Sequence, residues 1–320
     1  MYHHAMTARR VHAMTARRAH AMTARRAHAM TARRAHATWA ALAAALATAL
    51  AGCGATVEAK AVPPSTAIGV VASAYPLAQL TSYIGGRDVQ VDDLAPPGTA
   101  PENLKLTQLQ LREIARAPLL VDVGDGYQPQ VEAAPTRHRL SLLPAVSGDR
   151  EPYEFWLDPA LMGRAASVLA QALAKADPAG RAQFSNGARD FRSVVSSLES
   201  DYQSSFSTCN ATDFVTPDSA FGRMARSYDL VDIAVDRTGV QKAAALVKKD
   251  SIPVVFAETG VPAGAVQRVA TEAGVPLKTL DPLEVAPKAK ALASESYFTA
   301  MENNLSTIEE ALSCDMSSNY

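Results

Sequence analysis

From Pro178 to Thr208 the chain carries Phe184, Ala188, Phe191, Val195, Leu198, Tyr202 and Phe206 at intervals of three or four residues, with Arg, Asp, Ser and Glu between them. That recurrence puts one apolar stripe on a helix. The helix would run for roughly thirty residues, about 45 Å at 1.5 Å per residue. It has no heptad partner elsewhere, and on both sides short apolar runs alternate with helical patterns. The pattern predicts α/β architecture: two doubly wound parallel-sheet lobes joined by one long rigid helix.

The first half reads as a strand at 68–73, a helix from Pro76 to Ile84 stopped by Gly85-Gly86, and a strand at 89–94. The loop 95–103, with three Pro and one Gly, breaks regular structure. Thr107 then caps a helix to Arg116, 119–123 is a buried strand, and 139–143 is a weaker one. Asp158 and Pro159 suit the N-cap and first position of a further helix. The second half repeats the alternation, with strands at 212–216, 231–235, 253–257 and 276–280 and a last helix over 295–312. In parallel sheets ligands bind outside the carboxyl ends of the strands. Asp218, Glu258 and Asp281 lie just past such ends, and Glu102 sits in a loop that follows one.

Charge narrows the partner. Eight of the 31 Lys and Arg lie in residues 1–52, which hold no acid, leaving 23 to face all 32 Asp and Glu, a net of −9. A body so acidic is unsuited to nucleic acid and better suited to cations. Residues 1–36 repeat the octet His-Ala-Met-Thr-Ala-Arg-Arg-Ala with small variations. A His-bearing metal tract is one reading; a tandem duplication around the translation start is the favoured one, since copies carry Met6, Met14, Met22 and Met30. After Met30, Arg33 and Arg34 precede the apolar run 37–50, too short to span a bilayer but suited to a signal peptide.

Leu50-Ala51-Gly52-Cys53 resembles the lipobox of bacterial lipoproteins, which implies lipidation of Cys53 and an anchor on the extracytoplasmic face of the bacterial cell membrane. The expected divisions are 1–52 (repeat and signal peptide), 53–66 (tether), 67–177 (first lobe), 178–208 (connecting helix) and 209–320 (second lobe). Cys209 and Cys314 remain, an even number in an oxidising compartment, and a disulfide between them is expected. Closing a loop of about 105 residues would stabilise the fold by about 4–5 kcal/mol in the chain-entropy model.

Several segments carry a family resemblance. Residues 70–77, Val-Val-Ala-Ser-Ala-Tyr-Pro-Leu, resemble the opening strand of the metal-binding receptors of zinc and manganese ABC importers. Residues 97–103 look like that family's Pro-Gly-x-x-Pro-His loop, Glu154-Phe155-Trp156-Leu157-Asp158-Pro159 like its His-x-Trp-x-Asp-Pro element, and Asp218-Ser219-Ala220-Phe221-Gly222 like its His-x-Ala-Phe-Gly turn. Phe256-Ala257-Glu258-Thr259 and Leu280-Asp281-Pro282-Leu283 complete the set, over about residues 67–312. The resemblance implies metal ligands at Glu102, Glu154, Asp218 and Asp281, with Glu258 hydrogen-bonding behind them. It also implies an ABC permease as partner, small lobe movements and a monomer.

Every histidine expected from that resemblance is an acid here. After Cys53 the only imidazole is His138, between Arg137 and Arg139. Carboxylate oxygen suits Mn²⁺, Ca²⁺, Mg²⁺ or iron better than zinc, which prefers nitrogen and sulfur. A divalent ion is expected as transported cargo, Mn²⁺ first, with zinc still open. Lys105 and Arg223 are candidates to offset the excess negative charge. Each acid also has a structural reading: Asp281 before Pro as a turn or cap, Glu102 as a solvated loop residue, Asp218 as an N-cap. A surface adhesion protein of the same fold and a receptor for a cationic organic ligand are the alternatives. No phosphate loop or Gly-x-Ser-x-Gly elbow is present, and no enzyme activity is expected.

Overall fold

The computed structural model describes residues 67–287 and 296–314. The octet repeat, the signal segment, Cys53 and the tether lie outside them. The first lobe comprises β1 (Ile68–Ala72), α1 (Tyr75–Gly85), β2 (Val89–Asp93), α2 (Gln108–Arg116), β3 (Leu119–Asp122), α3 (Pro129–Glu132), β4 (Arg139–Ser141), α4 (Leu142–Val146) and α5 (Pro159–Ala176). After the long α6 (Arg181–Phe206) come β5 (Asp213–Thr216), α7 (Gly222–Ser227), β6 (Val231–Ala234), α8 (Val235–Thr238), α9 (Val240–Asp250), β7 (Val255–Glu258), α10 (Gly264–Ala273), β8 (Leu277–Leu280) and α11 (Tyr297–Leu312).

The two sheets run β2-β1-β3-β4 and β6-β5-β7-β8, and every pairing is parallel. Each sheet therefore reverses its strand order between its two central strands, β1 and β3 or β5 and β7. Loops leaving adjacent strands diverge there and open a crevice at the carboxyl edge.

Local chemistry explains the helix ends. Thr107 Oγ1 accepts from the Gln110 amide at 3.2 Å while Gln110 Oε1 accepts from the Thr107 amide at 2.9 Å, a reciprocal cap. Asp158 accepts from the Leu161 amide at 3.2 Å, with Pro159 opening α5. Gly86 ends α1 at φ +53°. The apolar run expected to continue as strand to Leu143 instead turns helical at Leu142. Leu142 and Leu143 are fully buried in α4; a short apolar run has no period that separates a buried strand from a buried helix.

All seven apolar stripe residues of α6 are buried, although Pro178–Gly180 forms a separate single turn and α6 is correspondingly shorter than its sequence pattern. Gly187 lies where α6 meets α1: a Cβ there would stand 2.5 Å from the Ile84 carbonyl oxygen. Only glycine allows this backbone contact.

The lobes share one core. A single apolar cluster runs from Val70 and Leu77 through Trp156, Leu169 and Phe191 to Phe214, Phe256 and Ile308. Trp156 Nε1 donates to the Pro282 carbonyl at 2.8 Å, Tyr297 Oη to the Trp156 carbonyl at 2.9 Å, and Ser227 Oγ to Asp158 at 2.6 Å. Cys209, just past α6, is disulfide-bonded to Cys314, just past α11. Among the described residues no helix is long and apolar enough to cross a membrane.

Candidate metal centre

A cavity of about 270 Å³ opens where the carboxyl edges of the two sheets face each other, lined by Glu102, Tyr127, Tyr153, Glu154, Asp218 and Glu284 among others. Glu102 stands on the single turn Pro101–Asn103, exposed at the rim, with Asn103 Nδ2 donating to it at 2.8 Å. That turn is tied to β1 through Gln128, whose amide donates to the carbonyls of Pro101 at 3.0 Å and Ser73 at 2.9 Å. Glu154 is buried immediately before the turn Phe155–Leu157, which Trp156 pins to the second lobe. Asp218, two residues past β5, accepts from the Ala220 amide at 2.9 Å, so its loop is preformed.

The structure therefore gathers Glu102, Glu154 and Asp218 from both lobes. Asp281 does not join them on this cavity's lining; Glu284 does. The Asp281 carboxylate accepts from Thr259 Oγ1 at 2.7 Å and from the Leu283 amide at 2.8 Å, which closes a turn. Its backbone is gripped by Asn304 of α11, which accepts from the Asp281 amide at 2.8 Å and donates to its carbonyl at 2.7 Å. Leu283 takes φ +59°, a left-handed conformation unusual for a side chain of this size. Past that bend the next residue, Glu284, lines the cleft. Only the acid three places further on in the same loop could have drawn attention to it.

Electrostatics in the cleft is dominated by burial among like charges. Burial raises Glu154, and its carboxylate accepts a hydrogen bond from the Glu284 carboxyl. Glu284 is raised by burial and then by Glu154, Glu102 and Asp218. Asp218 is raised chiefly by burial. Glu258, the last residue of β7, departs from expectation. It is 4 % exposed, and among the described residues neither carboxyl oxygen has a hydrogen-bond partner. Its charged neighbours are themselves acids: burial, then Asp218, Asp232, Glu284 and Glu154, push it up to about 10, so it sits neutral instead of bonding to a ligand. Asp232 is pushed up to about 8 by burial, although Thr216 donates to it.

Among the described residues no Lys or Arg forms an ion pair with the four acids. Lys105 is exposed and away from the cavity lining. Arg223 is buried, but it donates to the carbonyls of Pro152 and Asp149 and to Ser147 Oγ, clamping the second lobe to the loop before Glu154. Arg237 lines the cavity and pairs with Glu151 at 3.4 Å. Among the described residues, no three His, Cys, Asp or Glu stand close enough to hold an ion as they are.

Two parallel-sheet lobes on one shared core, with a charged cleft between their carboxyl edges, define a two-lobed solute-binding protein. The chain belongs to the family described as ZnuA, zinc-uptake complex component A, periplasmic, whose model matches residues 70–311. Members of this family bind solutes and are not enzymes. The zinc-binding protein AdcA of Streptococcus pyogenes is 25% identical over 294 residues, 78% of this chain and 57% of AdcA; the chain thus spans little more than half that relative's length. A putative metal-binding protein of Treponema pallidum is 25% identical over 281 residues, 76% of this chain and 87% of that protein. The solved laminin-binding protein Lmb of Streptococcus agalactiae superposes with a TM-score of 0.71 at 22% identity, covering 77% of this chain and 99% of that one; it supports the fold.

Proposed function

We propose that this chain is an extracytoplasmic lipoprotein that captures a metal ion in the cleft and delivers it to an ABC permease. Glu102, Glu154, Asp218 and Glu284 are the proposed ligands, Cys53 the lipid anchor, and the monomer the working unit. One observation carries the reading: carboxylates from both lobes line a single cavity, with no imidazole among them. A cation entering that cavity offsets the repulsion among the acids and draws them inward. An all-oxygen set favours Mn²⁺ over Zn²⁺, whereas the name of the AdcA relative speaks for zinc.

Ligation requires the charged form of each acid. The raised Glu154, Glu284 and Asp218 must therefore release protons to the incoming ion, and affinity falls as the pH drops. Calorimetric titration with Mn²⁺ and with Zn²⁺ between pH 8 and pH 5 tests this. We expect one ion per chain, weaker binding at the acid end, and a loss of at least about tenfold in Glu154→Ala and Glu284→Ala. Binding indifferent both to pH and to these substitutions would remove the cleft from consideration.

A further inference from the structure

The edge of the first sheet that faces away from the cleft is basic. The four strands are parallel, so their amino ends and the turns leading into them share that edge. Between β4, an edge strand, and the last turns of α5 lies a cavity of about 440 Å³. Its floor is apolar, with Leu140, Val168 and Ala172, and Arg137, His138 and Lys175 line it as well. Arg139 also borders it, but its guanidinium is turned inward to Asp122. Among the described residues no Asp or Glu lines this cavity, in a body whose acids outnumber its cations. Arg116 ends α2 just before β3, and Arg181 opens α6. The start of α6 lies at this edge too, since a Cβ on Gly86, in the turn before β2, would stand 3.1 Å from the Gln183 side chain. Arg116, Arg137, Lys175 and Arg181 are exposed and, among the described residues, form no ion pair. The acids nearby are engaged: Asp88 pairs with Arg87 at 3.9 Å, and Asp177 caps the turn Pro178–Gly180. The matching edge of the second sheet carries Asp213, Asp229 and Asp250 beside Lys248 and Lys249. Ile68 opens β1 at the basic edge, and Cys53 stands about fifteen residues earlier in the chain.

We propose that this edge docks on the anionic phospholipid headgroups of the bilayer that holds the chain's own lipid anchor. The inference rests on the reading of Cys53 as that anchor. Each Lys or Arg held at an anionic membrane surface is worth about fivefold in affinity, and the attraction fades within a Debye length. A few exposed cations hold a free protein only weakly. For a chain tethered from the same edge the encounter is intramolecular, so a weak attraction suffices. Arg137 and Lys175 meet headgroup phosphates, and the apolar floor between β4 and α5 takes the glycerol ester region beneath them. Docked in this way, the cleft at the opposite edge opens away from the bilayer, toward incoming cargo. Delivery to a permease in that bilayer then requires the basic edge to let go.

The chain from residue 53 on, which contains every described residue, is prepared as Cys53→Ser so that no lipid contributes. It is sedimented with vesicles of phosphatidylcholine, alone or mixed with phosphatidylglycerol. Arg137→Glu with Lys175→Glu is compared with Lys242→Glu with Lys248→Glu, an equal change of charge on α9 in the second lobe; all four side chains are exposed. The parent should bind the mixed vesicles and leave them in high salt. The first pair should lose at least about tenfold in affinity and the second much less. Arg137→Gln with Lys175→Gln repeats the test without reversing charge and should lose at least about fivefold. Equal losses in the two reversed pairs would make the attraction one of net charge. Equal binding to both vesicles, or binding to neither, would leave the groove to a partner other than an anionic bilayer. Each of these results overturns the proposal. The mass of full-chain protein extracted from bacterial membranes reads the anchor separately: a Cys53 without lipid would overturn the anchoring itself, whatever the vesicles show.

Discussion

The two sheets have the same strand order, yet their third strands end differently. β3 ends in Asp122 and β7 ends in Glu258, each a buried acid at its sheet's carboxyl edge. On the neighbouring edge strand, Arg139 is in register with Leu120, and Lys278 holds the equivalent place opposite Phe256. Arg139 turns inward, pairs with Asp122, and donates to the carbonyls of Val131 and Ala134 at 3.0 Å. Lys278 turns outward to Glu310 of α11 at 2.7 Å. Among the described residues, the same scaffold thus builds an acid that is ion-paired through one oxygen, with Asp122 Oδ1 left unpartnered, in one lobe, and an acid with neither oxygen partnered in the other. The direction taken by one cation decides which of the two strand-end acids is ion-paired.

The strongest way to break this contrast is Arg139→Ala, which strands Asp122 and frees two carbonyls. A loss of about 4 kcal/mol is expected, since removing one partner of a buried pair is far costlier than removing both. Denaturant unfolding at neutral pH measures it, and a loss below about 1 kcal/mol, the scale of an exposed pair, would show that Asp122 needs no cation. Glu258→Gln should act with the opposite sign. The folded carboxyl keeps its proton up to about 10 and the unfolded one only to 4.5. Between those values the unfolded chain binds fewer protons, so native stability falls as the pH rises. Removing the group should flatten that slope and stabilise the protein by about 3 kcal/mol at pH 7, at about 1.4 kcal/mol per unit. Melting curves across pH 5 to 9 would expose an unchanged slope, and with it an error in reading Glu258 as neutral.

The smallest effect sharpens the boundary of the cleft. Asp281→Ala removes a cap from the Leu283 amide and should cost about 1 kcal/mol. Its Mn²⁺ affinity should stay much nearer to wild type than that of Glu284→Ala. Equal losses in the two variants, read by the same titration, would place Asp281 back among the ligands.

The large features were legible because they rest on periodicity and on loop position. The α6 stripe shows a helical period, and Glu102 and Asp218 lie in loops after strands, which a parallel sheet aims at its carboxyl edge; Glu154, in the loop between α4 and α5, was legible only through the family resemblance. The exchange of Asp281 for Glu284 was not legible, since it depends on the left-handed Leu283 and on Asn304, 23 residues downstream of Asp281, gripping the turn. The Gly124-Asp125-Gly126 segment read only as a turn; that it delivers Tyr127 to the cleft follows from the positive φ of all three residues and from packing on Tyr153 and Trp156. The solitude of Glu258 was invisible for a similar reason, because a hydrogen bond expected from position can be absent only in three dimensions.

The contact at Gly187 has a mechanical consequence. Two rods that touch main chain to main chain have no cushion of side chains over which to roll or ratchet. The first lobe and the rod behind it therefore travel as one solid, and the shared apolar interior binds the second lobe to the same solid. In the receptor proposed above, loading would then be registered at the rim, in the small turns carrying Glu102 and Glu284, and a receiving surface would read those turns and not the angle between the halves.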